Sequence, residues 1–185
     1  MKTEPFDLSI FKKVGEDVFV NPLVSITRPE LVSLGNHVAI DPWFHCTTGL
    51  ETGDYVHIQA HVGIIGGKAG LIKMGNFTNI SLGGKIICVS DEFKGAGMIT
   101  EPGLPEKYLD ARKSGTVIFE DFVNTGANVT ILPGVTLKEG SVIGACSLVT
   151  KNTEPWTIYA GIPAKPIGRR DSTNILKFAK ELGYR

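Results

Sequence analysis

The side chains of this 185-residue chain that can carry a proton or hold an ion are few and unevenly placed. Four histidines stand at positions 37, 45, 57 and 61, and none follows His61. His57 and His61 are four residues apart, which suits either a general base near neutral pH or two ligands of a zinc ion. The zinc reading needs a third histidine downstream, and the chain supplies none. His37 and His45 read as surface residues. Cys46, Cys88 and Cys146 make no even disulfide framework and stand in no evident nucleophile setting. They read as free thiols in a reducing cytosol. Charge is uneven: from Lys151 onward there are seven Lys or Arg against three acidic residues, and before it twelve against sixteen. A basic C-terminal end suits a phosphorylated ligand, whereas zero net charge argues against nucleic acid as the main partner. No apolar run is long enough to span a bilayer, and there is no signal-peptide pattern.

A six-residue repeat must position these groups. From Phe119 to Glu154, position one of each unit is usually bulky and apolar (Phe119, Ile131, Leu137, Ile143, Val149). Position five is small or β-branched (Val123, Val129, Val135, Ser141, Ser147, Thr153). Neither a helix period nor strand alternation gives a period of six. Three short strands with tight turns do, closing a triangular coil of 18 residues in a parallel β-helix. Upstream, Val14, Val20 and Ile26 hold position one, then Leu34, Ile40, Cys46, Thr52, Ile58 and Ile64. The phase slips near residues 66–70 and resumes at Met74, Ile80 and Ile86. Glycine often follows position one (Gly15, Gly35, Gly53, Gly75, Gly126, Gly144), where it reads as a supplier of turn conformations. A sandwich of short strands is the competing fold.

In this register Ala127 and Ala145 are both third in their units and 18 residues apart, so one lies above the other. Small residues there let an extended ligand approach the backbone and pair with its amides. Ala60 falls in the same column, so His61 faces outward beside that wall, while His57 ends the preceding unit on the turn side. Residues 92–116 lack apolar rhythm and read as a long loop. Asp171 or Ser172 caps a helix over residues 173–182, with Ile175, Leu176, Ala179 and Leu182 as its buried stripe and Gly183 as its stop. The lead-in, residues 1–13, has no assigned structure. The whole reads as one domain over 1–185, with coils over 14–154 and a C-terminal extension over 155–185.

Gly144-Ala-Cys-Ser-Leu-Val-Thr-Lys151, then Tyr159-Ala-Gly-Ile-Pro-Ala-Lys165, together with Gly126-Ala-Asn-Val-Thr-Ile-Leu-Pro-Gly134, resemble the hexapeptide-repeat acyltransferases. The resemblance implies a left-handed β-helix, a homotrimer, and acetyl-coenzyme A in the groove between subunits. It assigns the pantetheine arm to the backbone of Ala127 and Ala145, the nucleotide end of the cofactor to Thr150 and Lys151, and its phosphates to Lys165. A further family cation falls on Gly168, so Arg169 or Arg170 is the substitute. Trp156 and Tyr159 are candidates to flank the adenine, against burial beside the C-terminal helix. Relatives with simple sugar acceptors carry a catalytic histidine where this chain has Asp91, which can take a proton, hold a protonated amine, or simply turn the chain into the loop.

Gly53-Asp-Tyr-Val-His-Ile58, Ser90-Asp-Glu92, Glu101-Pro-Gly-Leu-Pro-Glu106 and Glu154-Pro-Trp-Thr-Ile-Tyr-Ala-Gly-Ile-Pro163 narrow the resemblance. They are similar to bacterial acyltransferases of nucleotide-linked amino sugars, such as those of dTDP-4-amino-4,6-dideoxyglucose used in surface polysaccharide (lipopolysaccharide) synthesis. That implies a cytoplasmic acetyl-CoA-dependent enzyme acting on a sugar, without metal. N-acetylation is favoured over O-acetylation, with His61, Asp91 and His57 as catalytic candidates. An unprotonated amine is already nucleophilic, so it needs a base less than a hydroxyl does. A zinc enzyme of the left-handed β-helix carbonic anhydrase type, and a scaffold without catalysis, are the readings from other classes.

Overall fold

The computed structural model describes residues 4–184; residues 1–3 of the lead-in, and residue 185, lie outside the described residues. The six-residue period becomes three parallel sheets wound into a triangular prism, a left-handed β-helix. Its hand departs from the usual right-handed crossover of parallel strands. Face A begins at Lys13–Val14 and ends at Thr136–Leu137. Face B runs from Phe19–Val20 through Val142–Ile143, and face C from Ser25–Ile26 to Leu148–Val149. Ile40 pairs with Ile58, eighteen residues on, and Thr125 with Ile143 in the same step. Positions one and five point inward. Ile40, Ile58, Ile80, Val38, Val56 and Val62 are buried in one continuous column of core.

Three coils are longer than 18 residues; in the first, where Val14 pairs with Leu34, the 3-10 turn Pro29–Leu31 takes up the extra length. A single 3-10 turn, Gly67–Ala69, takes up the slip after Ile65, and Ile80 still pairs with Ile58. The next coil carries the long insertion, yet Asn79 still pairs with Asn124. That insertion is not wholly loop. Val89–Asp91 and Arg112–Ser114 form a two-stranded antiparallel stem, and a 3-10 turn spans Glu106–Tyr108. These strands are short and largely polar, so no apolar alternation announces them.

The glycines after position one do not supply the turn conformation. Left-handed backbone occurs at position four instead, as at His37, Trp43, Tyr55, His61, Phe77, Gly83, Phe122, Asn128, Cys146 and Trp156. Bulky residues rarely adopt positive φ, so stacked coils hold them there. The second-position glycines serve close approach. A Cβ on Gly35 would lie 2.3 Å from the carbonyl oxygen of Gly53, and one on Gly126 2.6 Å from the nitrogen of Ala145.

The corner between faces A and B shows how coils are tied. Oδ1 of Asn36, Asp54, Asn76 and Asp121 accepts the N–H of Glu16, Asn36, Asp54 and Asn76 at 2.7–2.9 Å, each side chain reaching one coil back. Outside them His37, Tyr55, Phe77, Phe122 and Trp156 stack in a ladder, with centroids 4.5 to 5.9 Å apart. Thr157–Gly161 adds a further rung to face B, and Ala164–Arg169 folds back antiparallel against it. The helix Thr173–Glu181 follows; Ser172 is its N-cap residue without a capping bond of its own, and Asp171 Oδ1 accepts the Thr173 N–H at 2.8 Å. Ala179 is buried, and Ile175 and Leu176 are half-buried. Leu182, expected in the stripe, is exposed, because the helix ends before it and the chain turns at Gly183 with φ 82°. The Tyr184 hydroxyl donates to Asp54 Oδ2 at 2.7 Å and returns the chain to the ladder.

Gly35→Ala should therefore lower the unfolding free energy by about 1–3 kcal/mol, the usual range for overpacking. Gly63→Ala, whose Cβ would meet only the Lys85 stem at 3.6 Å, should change it by less than about 0.5 kcal/mol. Urea unfolding of both variants checks this; equal midpoints would contradict it.

Candidate functional site

The candidate residues fall on two edges of face C and on face B. His61, Ala127 and Ala145 sit on the edge between faces B and C. Asp91, Thr150 and Lys151 sit where face C gives way to face A. One face separates these edges, about 15–20 Å for six extended residues. A single chain therefore does not bring the two groups together.

The B–C edge differs from the A–B corner at the same repeat position. There Asn and Asp side chains satisfy the third-position amides. On the B–C edge Gln59 Oε1 accepts from Leu82 N–H at 3.1 Å. Among the described residues no hydrogen bond satisfies the N–H of Ala127 or Ala145. Their coils are in contact, since Cys146 N–H donates to Ala127 C=O at 2.8 Å. The result is a wall of small side chains with two free donors in line, the geometry that adds an extended amide-bearing ligand to a backbone.

His61 holds its predicted place despite the slip in phase: it is exposed on that edge and stacks on Trp43, centroids 4.7 Å apart. His57 is not on a turn. It lies in the strand His57–Ile58 on the outside of face B, where its Nε2 is 3.0 Å from Asp41 Oδ2. His57 and His61 thus face different partners, and among the described residues no group of three metal-ligating side chains gathers. Asp41 and Trp43 were missed as site neighbours. Trp43 shares position four with His61, a signal present in the repeat; Asp41 becomes visible only once the coils are paired.

Asp91 ends the first strand of the insertion's stem. Its Oδ1 accepts the Thr100 hydroxyl at 2.7 Å and its Oδ2 the Thr100 N–H at 3.3 Å. It does shape the loop, but each oxygen keeps acceptor capacity. It lines a cleft of about 270 Å³ with Gly66, Ser90, Thr100 and Arg112, and a second of about 470 Å³ with Phe93, Lys113, Leu132 and Pro133. Asp110 anchors the same loop: buried, it accepts the N–H groups of Lys94, Gly95 and Ala111 at 2.8–3.3 Å.

At the C-terminal end Lys165 is exposed on the strand Ala164–Arg169. Arg169 is exposed too, its guanidinium donating to Thr157 Oγ1 at 2.7 Å. Arg170 is occupied elsewhere, donating to the carbonyls of Phe122 and Gly140 at 2.7 and 3.2 Å. Trp156 stands at the end of the aromatic ladder, stacked on Phe122. Tyr159 is buried in the prism core, its hydroxyl accepting the Glu154 N–H at 2.9 Å, so it packs with the core and not with the helix. Burial pushes the thiols of Cys46 and Cys88 up to about 11, out of nucleophilic range at neutral pH.

No protein-family model matches the chain. It is similar to the dTDP-4-amino-4,6-dideoxy-D-glucose acyltransferase of Escherichia coli, 36% identical over 163 residues that cover 86% of this chain and 83% of that one. Among solved structures it is similar to AntD, an N-acyltransferase from Bacillus cereus, in complex with dTDP and 3-hydroxybutyryl-CoA. The TM-score is 0.86 at 32% identity, over 94% of this chain and 90% of that chain. A variant of AntD with dTDP-4-amino-4,6-dideoxyglucose and coenzyme A gives 0.87 at 31% identity, over 95% and 92% of the two chains.

Asp110→Ala removes the acceptor of three loop amides, each worth about 1–3 kcal/mol if left unpaired. Trypsin should then cut after Lys94 at least about tenfold faster while the coils stay intact. An unchanged cleavage rate would show that the loop is held by something else.

Proposed function

This chain belongs to the family of the dTDP-4-amino-4,6-dideoxyglucose acyltransferases, and we propose that it transfers the acetyl group of acetyl-coenzyme A to the amine of a nucleotide-linked amino sugar. The two free N–H groups on the Ala127–Ala145 wall carry this reading. Pantetheine has amide carbonyls spaced along an extended chain, and a wall with donors in line and no side chains in the way accepts it. Thr150, Lys151, Lys165 and Arg169 supply hydroxyl and positive charge at the C-terminal end for the nucleotide and phosphates of the donor.

The separated edges give the reading its quaternary form. In a homotrimer the B–C edge of one subunit meets the loop-bearing edge of its neighbour, and the thioester lies between them with Asp91 opposite. The amine attacks the thioester carbonyl. A tetrahedral intermediate forms, a backbone N–H holds its oxyanion, and coenzyme A leaves as the thiolate. Asp91 orients the ammonium of the acceptor and receives or relays its proton. His61, held by Trp43, flanks the path on the donor edge, where its imidazole can take the same proton; His57, held by Asp41 on the outside of face B, stands further back. No helix among the described residues is long and apolar enough to cross a membrane. With unpaired thiols, this fits a cytoplasmic step that prepares a sugar for surface polysaccharide synthesis.

Thiol release from acetyl-coenzyme A, tested against dTDP-, UDP- and GDP-linked amino sugars, is the direct assay. Release dependent on a nucleotide-linked amine supports the reading, and activity confined to free sugars would overturn it. Asp91→Asn should lower turnover about a hundredfold, within the range for loss of a proton-transfer group, while changing the affinity for coenzyme A little. Ala145→Val should do the opposite, raising the KM for acetyl-coenzyme A. If Asp91→Asn turned over like wild type, the carboxylate would have no part in the reaction.

A further inference from the structure

Between the C-terminal helix and the corner of faces A and B runs a cleft of about 250 Å³. The coils contribute Phe77, Phe122 and Asn124 to it, the helix end Phe178 and Leu182, and the segment joining coils to helix Arg170. Phe178 is 54% exposed and Leu182 56%, so the helix brings large apolar side chains to the cleft without burying them. This corner is neither of the two edges that carry the alanine wall and Asp91.

Arg170 is the one cation among the residues lining the cleft, and it is held firmly. Its backbone N–H donates to Trp156 C=O at 2.8 Å, and its Nη1 to the carbonyls of Phe122 and Gly140. Both side-chain bonds leave from Nη1; among the described residues nothing accepts from Nε or Nη2. Those two nitrogens make the edge of a guanidinium that grips a carboxylate with two parallel hydrogen bonds. Among the described residues no carboxylate forms an ion pair with Arg170, and burial alone depresses its pKa from the ordinary arginine value. A half-buried charge without a counterion is costly, and an anion entering the cleft offsets that cost. A phosphate is the poorer fit, because one guanidinium balances one negative charge and a phosphate brings about two.

The rest of the cleft favours a ring. Phe77 and Phe122 stack with centroids 5.3 Å apart and planes 9° from parallel, so their edges face sideways. The chain's own Tyr184 shows what such edges hold. Its ring stands at 79° to Phe77 and 74° to Tyr55, and its hydroxyl donates to Asp54 Oδ2. The cleft repeats this arrangement one coil further on, with Phe77 and Phe122 as the rings and Arg170 in place of Asp54. Edge-to-face packing is a preferred geometry of aromatic pairs. Asn124 is tied into the wall, its Nδ2 donating to Phe122 C=O at 3.0 Å. At about 250 Å³ the space falls below the range for drug-sized ligands, which begins near 300 Å³, and suits one ring with a short acid arm.

We propose that this cleft is a second ligand site, for a small aromatic carboxylate. The ring lies against Phe77, Phe122 and Phe178, and the carboxylate accepts two hydrogen bonds from Nε and Nη2 of Arg170. The occupant clamps the C-terminal helix to the coils. None of this depends on the acyl-transfer reading.

Calorimetry with phenylacetate tests it. Saturable binding with a Kd below about 1 mM is expected, within reach of a ligand of about ten heavy atoms. Phenylacetamide, its neutral counterpart, should bind at least about tenfold more weakly. Cyclohexylacetate, which keeps the charge and loses the aromatic ring, should bind about threefold more weakly. Arg170→Lys keeps the charge and loses the fork, and Phe178→Glu sets a negative charge at the cleft; each should weaken phenylacetate about tenfold. Phe178 is exposed, so its replacement reports on the site even if Arg170→Lys disturbs the last coils. Lys165 and Arg169 are other exposed cations that a carboxylate could find, so the titration is repeated with coenzyme A in excess, and the affinity should not change. No saturable binding, unchanged binding in Phe178→Glu, equal affinity for phenylacetamide, or displacement by coenzyme A would each overturn the site.

Discussion

Every part of this molecule depends on how closely one coil lies on the next. The backbone hydrogen bonds between parallel rungs fix that spacing, and the sequence yields to it at each corner. Second-position glycines leave room for the backbone of the neighbouring coil. Fourth-position residues accept positive φ even where they are phenylalanine or tryptophan. Between faces A and B the third-position Asn and Asp side chains bridge to the coil before, and an aromatic ladder covers them. The same constraint makes the core a single column of stacked aliphatics, in which each side chain is covered by the equivalent one of the next coil.

The surface we propose as functional lies where this scheme is relaxed. On the B–C edge the third-position residues at 60, 127 and 145 are alanines, and among the described residues no hydrogen bond satisfies the amides of Ala127 and Ala145. The opposite edge is relaxed in another way, by an insertion that returns in exact register to the next rung and leaves Asp91 at its base. Because one face of the prism stands between these edges, a reaction needing both requires a second copy of the chain. A rigid solenoid suits this arrangement: its edges are straight, so two copies meet along several coils at once.

Much of this was legible in the residues. The six-residue period gave the coils, the core positions and the column of Ala127, Ala145 and His61, because burial imposes the repeat directly on the sequence. What escaped was whatever depends on pairs of residues in different coils. The partnership of His57 with Asp41 spans sixteen residues and needs the register of both strands. Glycine was read as the turn residue because a positive φ ordinarily favours it, whereas here its role is contact distance. The polar stem of the insertion has no hydrophobic signature to read. The contacts of Arg170, Trp156 and Tyr159 with the last coils likewise join residues far apart in the chain.

The central claim is that the donor wall and Asp91 act together across subunits. Subunit mixing measures this directly. Protomers carrying Asp91→Asn and protomers carrying Ala145→Trp, each expected to be strongly impaired as pure assemblies, are refolded or co-expressed together and assayed for acetyl transfer. A shared site predicts that activity returns, because some interfaces then pair an intact wall with an intact Asp91. Mixed assemblies as inactive as either parent would contradict it.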